Sequence, residues 1–446
     1  MEYRDHNGAD AATRPAARVA RRFDLPRPAR HTGVMSTTPA RTTDIAALAL
    51  TYGDRLILGT VRDTHRAVAR RAFAPTRALG GHRIERTHDA VSDAVYGTIS
   101  GALRAVGGGA RSLSRRGLGR PVESTRYGRR LQSAVNGLIG DELRAVDDPH
   151  AITMQLRSKG RDVPATPWPL SQAYPEATGH LVFFVHGLCE DDESWQARAG
   201  ENHIERIRRD TDGTPVVIRY NSGLHISENG KHLDTLIDAV VAAWPTRITR
   251  ISFVGHSMGG LVVRAATNHA VAAQREWTGL VRDIVCLGTP HTGAALEKAA
   301  HLGARALGFW PESRAFGEIL QARSEGIVDL RHGYISADEW QGQDLTARWG
   351  LDRIAAAPLP HADYHFVAAT LGARRGHIAS LALGDLLVQL SSAHGSARSG
   401  AVVDGARLEY LPSAHHFALL HHPRVGAWLV EWLNSRYRSP RALPTG

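Results

Sequence analysis

Two cysteines, Cys189 and Cys286, are all that the 446 residues contain. A disulfide-stapled secreted scaffold is thereby excluded, and two reduced thiols in a cytoplasmic protein are expected. Long hydrophobic runs are missing as well. No stretch approaches the roughly 18 uninterrupted apolar residues of a membrane span. Residues 1–34 are rich in Arg, Pro and Ala with no apolar core, so they do not read as a secretory signal, and Met35 is an alternative start. Zinc-ligand spacings, RNP-type motifs and basic patches interleaved with aromatics are absent, which argues against a nucleic-acid partner. No cofactor is implied.

What is present is a soluble globular composition, 43% hydrophobic and 22% charged, in a chain long enough for one large catalytic domain and an accessory segment. The net charge of +10 is unevenly placed. Residues 1–150 hold 25 Lys and Arg against 15 Asp and Glu, while residues 151–446 hold 29 of each. The excess positive charge therefore belongs to the front end, where a solvated helical face is expected and peripheral contact with an anionic membrane is the functional alternative.

Residues 1–42, polar and broken by Pro15, Pro26, Pro28 and Pro39, are expected to be a disordered tail. Residues 43–149 read as a basic helical region. Val91, Val95, Ile99, Leu103 and Val106 recur at helical spacing up to a break at Gly107-Gly108-Gly109, and Leu131, Val135, Leu138 and Ile139 repeat the signal. Both stripes are expected to be core or docking faces.

From residue 150 to the end, short apolar runs alternate with amphipathic ones. Strands are predicted at 152–157, 181–185, 215–220, 251–254, 284–287, 365–369 and 408–411, and helices at 194–209, 232–244 and 258–275. Such alternation predicts an α/β fold with a mostly parallel, doubly wound sheet, whose chemistry sits at the carboxyl ends of the strands. Residues 294–360 form an excursion suited to a helical cap.

Gly255-His256-Ser257-Met258-Gly259 joins one such strand to one such helix. A sharp strand-to-helix turn needs small neighbours and lifts the serine hydroxyl clear of the sheet, which makes Ser257 the candidate nucleophile. A serine needs a base, and the base an orienting carboxylate. Asp385 follows the strand at 365–369. It is preferred to Asp363, at the wrong end of that strand, and to Asp404, in a turn with Gly405. His416 lies just past the last strand, with His415 as competitor and His421 and His422 at the entrance of a closing helix. This histidine-rich loop lacks the carboxylate spacing of a metal site, so no metal is expected. Backbone N–H groups of Leu188, after the strand at 181–185, and of Met258, opening the nucleophile's helix, are the candidate oxyanion donors. The run Glu190-Asp191-Asp192-Glu193 is expected to be a solvated loop.

The set His186-Gly187, Gly255-His256-Ser257-Met258-Gly259-Gly260, Leu287-Gly288-Thr289-Pro290-His291-Thr292-Gly293, Gly384-Asp385-Leu386-Leu387-Val388 and His416-Phe417 resembles the α/β-hydrolase superfamily. The likeness is to bacterial lipases and to esterases of the GPI-inositol-deacylase kind. It covers about residues 150–437 and implies a Ser257, Asp385, His416 triad with Leu188 and Met258 as its oxyanion hole. The expected activity is hydrolysis of a hydrophobic or lipid ester through an acyl-enzyme. His186, Gly187 and His256 are expected beside the substrate, and Phe309 and Trp310 in an acyl pocket under the cap. An acyltransferase using the same triad, and a binding scaffold without activity, are the alternatives.

Overall fold

The computed structural model describes residues 40–54, 82–196, 202–293, 324–341, 357–370, 372, 385, 388, 390–397 and 400–434. Phe309 and Trp310, most of the cap excursion and residues 1–39 of the expected disordered tail lie outside these, while Thr42, the last residue of that tail, opens a helix. The described residues all fall within one compact unit, Ala40–Gly446.

Eight strands form a single sheet: β1 (Gln155–Ser158), β2 (Arg161–Val163), β3 (His180–Val185), β4 (Gly213–Arg219), β5 (Arg250–His256), β6 (Val281–Leu287), β7 (Asp363–Thr370) and β8 (Arg407–Pro412). Their order is β8-β7-β6-β5-β3-β4-β1-β2. β3 to β8 run parallel, and β1 is antiparallel to both β2 and β4. The inner parallel strands β3 to β7 are largely apolar and buried because both faces are covered, whereas the edge strand β8 is only partly buried. Leu181, Phe183, Val185, Phe253 and Ile284 point into one buried layer, and Val182, Phe184, Val254, Val285 and Val367 into the other. Each fully buried side chain of this kind stabilises the fold by roughly 1.5–3 kcal/mol.

α6 (Ile226–Ala243) and α7 (Met258–Ala272) cover the first face through Leu233, Ile237, Val240, Leu261 and Val262. α5 (His203–Asp210) and α9 (Pro423–Asn434) cover the second through Ile207, Val425, Leu429 and Trp432. β3 has β4 on one side and β5 on the other, so the chain reverses its direction of winding there. The loops leaving β3 and β5 consequently open side by side at the carboxyl edge.

The front end supplies α1 (Thr42–Tyr52), α2 (His82–Arg115) and α3 (Arg126–Ala145). α2 corrects the expected break at Gly107: the helix continues through all three glycines to Arg115. A glycine inside a helix costs about 1 kcal/mol against alanine. A Cβ at Gly107 would make ordinary contact with Leu50 Cβ of α1, at 3.5 Å, and one at Gly108 or Gly109 would meet nothing within 4 Å. The two apolar stripes fare differently. Val135 and Ile139 of α3 are buried, whereas Val91, Val95 and Val106 of α2 are 59%, 52% and 61% exposed and are no part of the core. None of the helices among the described residues is long and apolar enough to cross a membrane.

Two further expectations need correcting. The single helix expected over 194–209 is a short turn at Asp192–Trp195 followed by α5, which starts where the Asn202 side chain accepts the Glu205 N–H. Nor is the acidic run a solvated loop, for Asp191, Asp192 and Glu193 are 1%, 4% and 6% exposed. Their charge is met by arginines distant in sequence. Arg157 Nε lies 3.3 Å from Asp192 Oδ2, Arg126 Nε 2.6 Å from Glu193 Oε2, and Arg129 pairs with the same Glu193 carboxylate. Removing one partner of a buried pair strands the other, at about 3–5 kcal/mol.

Candidate active site

Ser257 stands at the junction of β5 and α7 with φ 52° and ψ −121°. A non-glycine residue pays about 1–3 kcal/mol for such a conformation. The strain is held by the Ser257 N–H donating to Leu287 O of β6 at 2.8 Å. The neighbouring glycines are there for close approach: a Cβ on Gly255 would fall 2.6 Å from Gly260 N, and one on Gly259 would overlap the Val185 carbonyl. The result is a serine on the helix axis at the carboxyl edge of the sheet.

Asp385 and His416 are each 1% exposed. The His416 Nδ1–H donates to Asp385 Oδ2 at 2.7 Å, and the other carboxylate oxygen accepts the Val388 N–H at 2.8 Å. With a carboxylate at Nδ1 the neutral ring keeps its proton there, leaving the Nε2 lone pair free to accept one. Nε2 is buried and makes no hydrogen bond among the described residues. Burial pulls the pKa of His416 down, but the Asp385 charge, the hydrogen bond to it and the more distant Glu190 charge outweigh that and leave it raised. The His416 ring lies 4.8 Å from that of His256, the residue before Ser257, and packs over Gly288, the residue after Leu287. Asp385 and His416 are thus bonded to each other, and His416 packs against the residue before Ser257.

The competing residues lie elsewhere. Asp363 and Asp404 are exposed, and His415 precedes the turn that carries His416. His422 accepts the Arg424 N–H on its Nδ1, at the entrance of α9.

The loop after β3 runs directly against the serine, where a Cβ on Gly187 would sit 3.0 Å from Ser257 Cβ. Leu188 follows. Met258, as the first residue of α7, has an N–H with no acceptor inside its helix. Both histidines expected beside the substrate have partners within the protein. His186 is fully buried, stacks on Tyr220 at 4.4 Å, donates from Nδ1 to Gly187 O and accepts the Tyr220 N–H on Nε2. His256 is also fully buried, its Nδ1 lying 2.8 Å from Glu190 Oε1.

Glu190 is the residue that sequence reasoning missed. Its side chain is 9% exposed, and its Oε2 accepts the Gly187 N–H at 2.8 Å while Oε1 meets His256. Burial pushes its pKa up, yet the His256 charge and hydrogen bond, with the Gly187 N–H, more than reverse this and keep the carboxylate ionised. Within the sequence nothing separates Glu190 from the three acids after it. Among the described residues no cluster of His, Cys, Asp and Glu fits a metal ion, and Cys189 and Cys286 are free thiols.

Residues 175–330, a span that opens just before β3 and takes in β3 to β6, match the family described as "Putative serine esterase (DUF676)". About a third of the chain is thus similar to a serine esterase family. The matched part holds Leu188, Glu190, Ser257 and Met258, and stops short of Asp385 and His416. A stretch of 157 residues is 29% identical to a triacylglycerol lipase of Burkholderia plantarii, covering 34% of this chain and 40% of that lipase. The match therefore spans less than half the length of that relative. Solved structures to which this chain is similar include the mature lipase BlEst2 of Bacillus licheniformis, at 16% identity and TM-score 0.39 over 63% of this chain and 97% of that one. A hydrolase of Pseudomonas aeruginosa aligns at 17% identity and TM-score 0.35 over 63% of this chain and 94% of that one.

Proposed function

We propose that this chain is a serine hydrolase of carboxylic esters, acting through an acyl-enzyme on Ser257. One observation carries the proposal: a serine held in a strained turn and, packed against the residue before it, a buried histidine whose Nδ1 is bound to a carboxylate and whose Nε2 is unengaged. Ser257 Oγ attacks the ester carbonyl and its proton passes to His416 Nε2. Asp385 keeps the ring in that orientation and offsets the imidazolium charge. The tetrahedral oxyanion accepts the N–H groups of Leu188 and Met258, the second at the positive end of α7. Collapse expels the alcohol, which takes the proton back from His416. Water then attacks the acyl-serine by the same route, releasing the acid.

The substrate is proposed to be a hydrophobic or lipid ester. The ionised Glu190 behind the oxyanion loop disfavours anionic acyl groups, and the relative from Burkholderia plantarii is described as a triacylglycerol lipase. Rates with p-nitrophenyl acetate, butyrate and octanoate test this. Saturable turnover that rises from acetate to the longer esters is expected; no turnover of any ester above background would overturn the proposal.

The same chemistry sets a pH dependence. His416 must be neutral to accept the proton, so activity rises as pH climbs through its pKa. Because Asp385 and Glu190 raise that pKa, the acid limb of kcat/KM lies above the ordinary histidine value. Glu190→Gln removes one of the negative charges and is expected to move the limb to lower pH. A limb that stays in place or moves up in the kcat/KM profile would contradict this account.

A further inference from the structure

The basic helix α3 lies against the back of the loop that carries Leu188. A Cβ on Gly137 would overlap Cys189 Sγ and come within 3.0 Å of Cys189 N and Cα; one on Gly140 would overlap the Asn221 side chain. Cys189 Sγ in turn sits 3.6 Å from Ala134 O. Cys189 is strained, with φ 60°, and its N–H donates to Ser222 Oγ at 3.1 Å. Such a residue keeps its conformation only when its surroundings fix it.

Beyond Cys189 the loop is gripped by charge. Arg126 and Arg129, in the first turn of α3, both pair with Glu193, and Arg130 Nε stands 3.7 Å from Asp191 Oδ2. On its other side the loop is tied to the nucleophile's strand by Glu190, through Gly187 N–H and His256. α3 also holds the start of α8 (Glu325–His332), where Ser324 Oγ donates to Gly137 O at 2.8 Å and Glu325 N–H to Asp141 Oδ2 at 3.2 Å. Here the helix itself kinks, with Ile139 at φ −143° and ψ 21°. The carbonyls of Gly137 and Gly140 on either side of the kink accept hydrogen bonds from Ser324 and Asn221.

We infer that α3 is a positioning element of the oxyanion hole: it fixes Cys189 from behind and so aims the Leu188 N–H at the reacting carbonyl. The basic front end of the chain is in this part a component of the active site. The inference rests on Leu188 being an oxyanion donor, as proposed above. An oxyanion interaction is made in the transition state far more than in the bound substrate, so loosening it lowers kcat and leaves KM nearly unchanged.

The test uses the full chain, p-nitrophenyl butyrate, and a fluorophosphonate titration of Ser257 carried to completion, so that rates are expressed per competent site. Gly137→Ala, whose methyl meets Cys189, is expected to lower kcat per site about tenfold or more with KM within about twofold. Adding Cys189→Gly, which removes the sulfur that the methyl meets and relieves the positive φ, is expected to restore most of that loss. Where Gly137→Ala yields too little folded protein, Glu193→Gln is the second variant, with kcat per site expected to fall about fivefold at constant KM. Wild-type kcat per site in both variants, with only melting temperature lowered, would overturn the inference and make α3 a structural support alone. Wild-type protein without a titratable Ser257 is a different result, and would remove the hydrolase reading itself.

Discussion

Replacing Ser257 by alanine is expected to lower kcat for p-nitrophenyl butyrate by about 10^5- to 10^6-fold. Alanine keeps the Cβ and the strained backbone at φ 52°, so the change removes the hydroxyl and little else. The Leu287 carbonyl still accepts the N–H of residue 257, and β5, β6 and α7 stay joined. Without an attacking oxygen, His416 has no proton to take and the oxyanion donors have no adduct to hold. Melting temperature should move little while turnover collapses. Initial rates set beside thermal denaturation check both halves of the statement. A residual rate above about a hundredth of wild type would mean that another group attacks the ester.

Asp385→Asn is expected to lower kcat by about 10^4-fold. The introduced amide can keep its carbonyl oxygen on the Val388 N–H, which turns its NH2 toward His416 Nδ1. Nδ1 then becomes the acceptor and the ring proton moves to Nε2, where the base is needed. The substitution is nearly isosteric, so the loss comes from the wrong tautomer rather than from a rearranged loop. kcat measured on both sides of the acid limb is the check, and a loss below about tenfold would show that another carboxylate orients the base.

The inner parallel strands were legible in the sequence because each centres on an apolar run, as a strand covered on both faces must. Chain order, placement after the predicted strands and the family resemblance led to Asp385 and His416, whose Oδ2 and Nδ1 the fold sets 2.7 Å apart. Ser257 was marked by the glycines that its turn needs. Elsewhere the deciding partner was far away in the chain. Glu193 is buried because Arg126 and Arg129, more than sixty residues earlier, reach it. Local composition carries no trace of that, and an acidic run reads as solvated by default. α2 crosses three glycines, at none of which a Cβ would clash, so nothing in the structure requires glycine there. His186 and His256 read as site residues from their place in the motifs, yet their ring nitrogens engage backbone and Glu190. The task of α3 was invisible for the same reason: Gly137 is an ordinary helix residue until Cys189 is laid against it.

The central claim is that Ser257 becomes acylated, and mapping a fluorophosphonate adduct by peptide mass spectrometry tests it most directly. The account predicts one adduct per chain, on the peptide that contains Ser257, formed more slowly in Asp385→Asn and absent from Ser257→Ala. An adduct on any other residue, or none on the folded wild-type protein, would contradict it.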